Sequence, residues 1–435
     1  MQKIVIKKFG PLQEIDLDVK DVMLFIGSQA TGKSTIAKTI FFFKSLKDDL
    51  YKFFVESFEK NNFDKPLGSF ARAIRQKFLN YYGASTYLEN IELQYFYSQE
   101  VWIKIDLEKN NKFITPQFSK IFRDFFNELS SDIQSFAQKY HSRNISLLSS
   151  KDLQEMAEQK NYFFKKMLET CEGLFQDSRE LIFIPAGRSL LAVLSEQLQN
   201  IKTRNLDFLT RNFLEKISLI RPFFRKSLQE ISMERKEFYG LEKEQIKRLD
   251  LAIATIEKIL KGRYQSDIGG ERIFYSKNQY VKLNFASSGQ QEILWILLLL
   301  FLAILEGKSV FVVIEEPEAH LFPETQKEIV NLIALLVNQT ASQVIITTHS
   351  PYILASLNNL MLAHRAAKFN PEKVAEKISK EFWLENSLIY AGLVEKGKIN
   401  DILDKELHFI QQEKLDAISQ VINEEFDFLF QIENS

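Results

Sequence analysis

Val22-Met23-Leu24-Phe25-Ile26-Gly27-Ser28-Gln29-Ala30-Thr31-Gly32-Lys33-Ser34-Thr35 is an apolar run that enters a loop bounded by two glycines and leaves it through Lys-Ser. Five apolar residues in a row fit a strand covered on both faces, and the pattern from Lys33 onward fits a helix. Gly27 and Gly32 allow the backbone to curl so that its N–H groups face phosphate oxygens. Lys33 adds a positive charge at the outer phosphates, and Ser34 can ligate Mg²⁺. The strand before the loop and the helix after it are the context such chemistry needs, so Gly27 to Thr35 is the expected phosphate-binding segment.

Outward from this loop, Ile4–Ile6 and Ile15–Val19 read as strands. Residues 45 to 82 read as helical, and the alternating segments Ile91–Tyr97 and Val101–Leu107 as two antiparallel strands. Phe118, Ile121, Phe122, Phe125, Phe126 and Leu129 recur at helical spacing, and a second stripe runs from Leu153 to Phe175, with the polar break Ser142–Ser150 between them. A short strand, Leu181–Ile184, leads into Pro185-Ala186-Gly187-Arg188-Ser189, and helices follow to a C-cap at Gly262. Strands at Arg272–Tyr275 and Tyr280–Phe285, an apolar helix, strands at Val310–Ile314 and Val344–Thr347 around a helix, and a hairpin through Lys396-Gly397 complete the chain before an acidic terminal helix.

These changes of pattern divide the chain into 1–44 and 45–115 (a head with its helical and β segments), a helical insertion at 116–179, a head strand and loop at 180–189, a helical lobe at 190–262, the remaining head at 263–395 and a tail at 396–435. The expected fold class is α/β, a mixed and parallel sheet with flanking helices and an inserted α-helical lobe.

Composition narrows the class further. Hydrophobic residues make up 45% of 435, enough for a large core, and 56 basic residues nearly cancel 57 acidic ones, which argues against a non-specific polyanion binder. The single cysteine, Cys171, rules out an internal disulfide and fits a reducing compartment; its place on an apolar row marks it as a core residue. The longest apolar run, Ile293–Leu305, has 13 residues, against about 20 for a bilayer span. No secretory pattern opens the chain, so the expectation is a cytoplasmic protein with no membrane partner.

Three further constellations carry chemistry. Val310-Phe311-Val312-Val313-Ile314-Glu315-Glu316-Pro317 delivers two carboxylates to the end of a buried strand, where strand alternation would turn them to different sides: Glu315 toward the metal, Glu316 toward an attacking water. Ser287-Ser288-Gly289-Gln290 opens the apolar helix, a serine cap with exposed N–H groups that makes a second phosphate-binding surface. Ile345-Ile346-Thr347-Thr348-His349-Ser350-Pro351 ends a buried strand in a histidine able to donate a hydrogen bond to a γ-phosphate.

In this order, with Glu315 25 positions after Gln290 and His349 33 positions after Glu316, the set resembles the ABC ATPases. Within them it is similar to the RecF/SMC-like and OLD-like group, the AAA family ATPases of bacterial defence, which carry Glu-Pro-Glu-Ala-His and Thr-His-Ser-Pro. The resemblance implies ATP and Mg²⁺ as cofactors. It implies two heads that sandwich the nucleotide, so that Lys33, Ser34, Glu315, Glu316 and His349 of one chain face Ser287 and Gly289 of a second copy. Glu318 and His320 match the loop linking the two sites, and Arg188 is the expected phosphate or interface contact. Glu315 stands where aspartate is commoner, Ser288 where a glycine is, and Ser28-Gln29-Ala30 where Pro-Asn-Gly is. The usual switch-loop glutamine has two candidates, Gln94 and Gln99.

The functional expectation is an ATP hydrolase, slow or regulated, whose head dimerisation controls a separately encoded effector such as a nuclease or toxin in anti-phage defence. OLD nucleases continue into a Toprim domain, whereas the 86 residues after His349 hold no Asp-x-Asp. A chain that does not itself cut nucleic acid is therefore expected. The alternative is a RecF/SMC-like DNA-repair or chromosome-maintenance ATPase acting directly on nucleic acid. It would use the basic residues Lys202, Arg204, Arg211, Lys216, Arg221, Arg225, Lys226, Arg235 and Lys236. A transporter energiser fits poorly with such bulky insertions.

Overall fold

The computed structural model describes residues 2–83, 90–107, 113–142, 149–188, 206–267, 269–404 and 406–411. The first part of the chain forms β1 (Lys3–Phe9), β2 (Leu12–Asp18), β3 (Val22–Ile26), α1 (Lys33–Lys44), α2 (Leu46–Lys60), α3 (Pro66–Tyr82), β4 (Ile91–Phe96), β5 (Trp102–Leu107), β6 (Thr115–Phe118), α4 (Lys120–His141), α5 (Ser150–Phe175) and β7 (Glu180–Ile184). A lobe of α6 (Phe208–Ile220), α7 (Leu228–Tyr239) and α8 (Lys243–Leu260) follows, then a small sheet of β8 (Arg263–Asp267), β9 (Gly270–Phe274) and β10 (Tyr280–Lys282). The chain returns through α9 (Ser288–Glu306), β11 (Val310–Glu315), α10 (Pro323–Thr340), β12 (Gln343–Thr348), α11 (Pro351–Ala366), α12 (Pro371–Ala375), β13 (Ile389–Glu395) and β14 (Lys398–Asp401).

The near-continuous apolar strands gather in one six-stranded sheet, β14-β13-β3-β12-β11-β7, parallel except at β14. Alternation then sorts their side chains into two cores. Val22, Leu24, Ile26, Val312, Ile314, Val344 and Ile346 face α8, α9, α10 and α11. Met23, Phe25, Phe311, Val313 and Ile345 face α1 and the five-stranded antiparallel sheet β2-β1-β4-β5-β6, with α2 to α5 packed behind. Phe42, Phe43, Phe54, Phe58, Phe70, Phe78, Phe122 and Phe126 interlock in that second core, which accounts for much of the phenylalanine content. α9 has the length and apolar composition of a membrane span, but 78% of it is buried between the sheet and neighbouring helices.

Several local readings change. Phe118 belongs to β6 rather than to a helix, because Ser119 caps α4 by accepting a hydrogen bond from the Phe122 N–H. β8 was not anticipated, and β10 stops at Lys282, where a single 3-10 turn covers Leu283–Phe285. The C-cap of α8 is Lys261 in the left-handed conformation (φ 51°), not Gly262. Gly262 is instead a close-packing position: a β-carbon there would fall 2.8 Å from the Phe274 carbonyl oxygen. Ser189, the first part of 190–262, most of the Ser142–Ser150 break and the acidic terminal helix lie outside the described residues.

Candidate functional site

Register places the site. Parallel pairing sets Ile26 opposite Thr348 and Glu315 opposite Thr347, so the residues that follow, Gly27, His349 and Glu316, leave three adjacent strands at one carboxyl edge. With neighbouring strands about 4.8 Å apart, phosphate loop, histidine and carboxylate fall within reach of one nucleotide.

The loop owes its shape to its glycines and to what they touch. Gly27 has φ 150° and lies so close to β13 that a β-carbon would meet the Val394 carbonyl oxygen at 2.3 Å. Gly32 has φ 105° and abuts Leu12, and Ala30 is also left-handed at φ 60°. Gly32 is the N-cap of α1 and supplies no side-chain cap, which leaves the helix's first N–H groups for an anion. The Lys33 ammonium donates to the Gly27 and Ser28 carbonyl oxygens, each at 2.8 Å. An ammonium has three N–H donors, so one remains for a phosphate oxygen. Burial pushes the Lys33 pKa down while the charges of Glu316 and Glu318 oppose that shift.

Glu315 ends β11 almost fully buried: its Oε2 accepts a hydrogen bond from the Ala186 N–H at 3.4 Å, and its Oε1 has no hydrogen-bond partner among the described residues. A buried carboxylate oxygen without a partner is costly unless a cation or water satisfies it. This donor, with the Ser34 hydroxyl and the nucleotide's own phosphates, fits Mg²⁺, which takes few protein ligands and keeps several waters.

The two carboxylates diverge, but not through strand alternation. Glu316 lies beyond β11 in the left-handed conformation (φ 47°), with its N–H on the Thr347 carbonyl at 2.9 Å. Its Oε1 sits 3.4 Å from His349 Nε2. Glu318 Oε1 accepts from both the Thr348 hydroxyl and the His349 N–H, at 2.7 Å each, and so fixes the backbone at His349. That tether, and the part played by Thr348, had no signal in the sequence.

Ser287 and Gln290 form a capping box at the start of α9: the Ser287 hydroxyl accepts from the Gln290 N–H, and Gln290 Oε1 accepts from the Ser287 N–H. Ser287 and Ser288 are exposed. A β-carbon on Gly289 would meet the His320 carbonyl oxygen at 2.7 Å, so the signature glycine packs on the Glu318–His320 loop of its own chain. Gln290 Nε2 donates to the Leu260 carbonyl at 2.7 Å, which ties the signature to the last turn of α8 in the lobe.

Arg188 requires a correction. Expected at a phosphate or an interface, it is 0% exposed, with its guanidinium spent on the carbonyls of Pro185, Glu292, Glu315 and Glu316. Burial lowers its pKa against the opposing charges of Glu292, Glu315, Glu316 and Glu318. Of the switch-loop candidates, Gln94 sits inside β4 opposite Val5. Gln99 lies in the β4–β5 turn, and β4 runs antiparallel to β1, so this turn is at the opposite end from the β1–β2 turn that abuts Gly32. Neither register position brings a glutamine to the loop.

A phosphate loop, a paired carboxylate strand end and a histidine strand end on adjacent parallel strands define the head of a P-loop ATPase. A family profile described as AAA ATPase domain matches residues 1–354, and the chain belongs to that family. No curated protein matches the sequence. Among solved structures, the SMC head bound to the C-winged helix domain of ScpA is similar over 92% of this chain and 96% of its own, at 11% identity and a TM-score of 0.38. The SMC head domain from Thermotoga maritima covers 92% and 97% at 13% identity and a TM-score of 0.36. An SMC head with an extended coiled coil, bound to the C-terminal domain of ScpA derived from Pyrococcus furiosus, covers 97% and 100% at 15% identity and 0.35. Scores this low transfer nothing from those proteins to this chain.

Proposed function

We propose that this chain is a Mg²⁺-dependent ATP hydrolase that works as a head-to-head dimer, and that nucleotide-driven dimerisation repositions its lobe to control a separately encoded effector in anti-phage defence. The observation that carries the hydrolytic part is the shared strand edge of Lys33, Glu315, Glu316 and His349. Lys33 and the N-terminus of α1 bind and orient the phosphates, and Ser34 with Glu315 would hold Mg²⁺, whose charge offsets that of the phosphates. Glu316 takes the proton of the attacking water, while His349 stands beside it as a donor to the γ-phosphate.

The dimer is supported by the division of the site. Ser287 and Ser288 are exposed at a capped helix start, and the resemblance of this segment to the ABC signature supports its facing a second copy's nucleotide. The Gln290–Leu260 hydrogen bond supports transmission, because movement of α9 must pull on α8. Direct action on DNA finds less support: within the basic segment, Lys216, Arg221, Lys226 and Lys236 are already paired with Glu180, Glu271, Glu234 and Asp250.

The test is sedimentation and phosphate release with three chains. Wild type should hydrolyse ATP. Glu316→Gln should bind ATP, lose on the order of 10²-fold or more in turnover and accumulate as dimer, and Lys33→Ala should fail to bind. In cells carrying the chain with its neighbouring genes, both variants should lose protection against phage. No protection by the wild type would sink the defence role, full protection by Lys33→Ala would sink its dependence on nucleotide, and wild-type turnover by Glu316→Gln would sink the assignment of the base.

A further inference from the structure

The loop Pro185–Arg188 does more than lead away from β7. Arg188 Nη1 donates to the carbonyl oxygens of Pro185 and Glu315, each at 2.6 Å, and Nη2 to that of Glu316 at 2.9 Å. Its Nε donates to the Glu292 carbonyl at 3.0 Å, and its backbone N–H to Glu292 Oε2 at 2.8 Å. Two residues before, the Ala186 N–H reaches the Glu315 carboxylate. A single buried side chain therefore joins the end of β7, both carboxylate residues at the end of β11, and the first turns of α9.

Glu316 needs such support. It is a non-glycine residue at φ 47°, a conformation that persists only where the surroundings hold it. Its carboxylate direction, and with it the approach to a water, follows from that φ. The N–H of Glu316 is fixed by Thr347, and Arg188 fixes the carbonyl. Only a planar guanidinium can serve successive carbonyls and a third element together, and a lysine ammonium cannot reproduce the fork.

We propose that Arg188 is a positioning residue for hydrolysis. It holds Glu315 and Glu316 in their diverging arrangement and, through Glu292, makes that arrangement depend on the seating of the helix that carries Ser287 and Gly289. Arg188 touches no substrate and acts through Glu316. The inference rests on the hydrolytic reading above, and adds that the signature helix and the carboxylates of one chain move together.

The experiment is steady-state hydrolysis and fluorescent ATP-analogue binding with Mg²⁺ on the full chain, comparing wild type with Arg188→Lys, Arg188→Gln and Glu292→Gln, with thermal melting to verify folding. Both Arg188 variants should lose roughly 30-fold or more in kcat with analogue affinity within about threefold, and lysine should not rescue. Glu292→Gln keeps an acceptor for the backbone N–H and should lose roughly 3- to 10-fold in kcat at unchanged KM. Should the Arg188 variants fail to fold, Glu292→Gln decides: a selective fall in kcat supports the inference and wild-type kcat overturns it. Wild-type kcat in folded Arg188→Lys, or affinity falling in step with kcat, would overturn the inference while leaving the hydrolytic reading intact. No hydrolysis by the wild type would remove both.

Discussion

Substituting alanine at Gly27 and at Gly10 separates two costs that a glycine-rich loop usually confounds. Both positions have positive φ, 150° and 57°. At Gly10 a β-carbon meets nothing within 4 Å, so the change carries only the conformational term, about 1 kcal/mol. At Gly27 the same methyl falls 2.3 Å from the Val394 carbonyl oxygen, and backbone on one side or the other must yield. Overpacking of that kind adds about 1–3 kcal/mol, for a total of about 2–4 kcal/mol. For 435 residues at about 2.1 cal/mol/K per residue, the entropy of unfolding is roughly 0.9 kcal/mol/K. Gly10→Ala should then lower Tm by about 1 °C and Gly27→Ala by about 2–4 °C, read by calorimetry without nucleotide. Because the displaced atoms are the phosphate loop itself, Gly27→Ala should also lose ATP binding, and Gly10→Ala should keep it. Equal melting of Gly27→Ala and wild type would refute the close packing of the loop on β13. Gly10 sits in the β1–β2 turn beside Gly32 but has room for a methyl, so loss of binding in Gly10→Ala would refute the reading that this methyl leaves the phosphate loop undisturbed.

Two further outcomes follow from buried groups. Burial pushes the Cys171 thiol up to about 12, so at pH 8 only roughly one molecule in 10⁴ carries a thiolate. A disulfide reagent should find no reactive thiol in the native chain and one after denaturation. Burial alone would raise the Asp177 carboxyl, but the Lys44 charge, their hydrogen bond and the Arg179 N–H hold it below 3.8. Its contribution is therefore present above about pH 4 and lost as pH falls further. Lys44→Met removes the partner and should cost about 3–5 kcal/mol at pH 7. Desolvation then dominates, so part of that loss should return on mild acidification, measured by chemical denaturation between pH 4 and 7. A pH-independent loss would contradict the pairing.

What the sequence disclosed and what it hid divide along physical lines. Gly27 to Thr35, the strand end at Glu315 and Glu316, the capped start of α9 and the strand end at His349 each rest on local chemistry, and so were legible one segment at a time. Their convergence depends on which parallel strands are neighbours. The order β3-β12-β11 sets Gly27, His349 and Glu316 side by side, and spacing along the chain carries no trace of it. Conformation at single residues was also hidden: the turn of Glu316 away from Glu315 is a left-handed backbone angle, not strand alternation. Arg188 shows the limit most plainly. An arginine in a loop after a strand reads as a surface contact, and only the packing of three elements around it reveals a buried one. Glu318 was legible as part of a linking loop, but its hydrogen bonds to Thr348 and His349 were not.

The most direct test of the composite site mixes two inactive chains. Lys33→Ala disables the phosphate loop of its own chain, and Ser288→Glu places a carboxylate at an exposed position of the signature segment that would face the nucleotide of the other copy. Each should be inactive alone. If a site draws on both chains, a mixed dimer holds one site with both halves intact. An equimolar mixture with random pairing should then recover about a quarter of wild-type phosphate release, as expected of a two-fold symmetric interface. Activity that stays at the level of the separate variants at every mixing ratio would contradict the account.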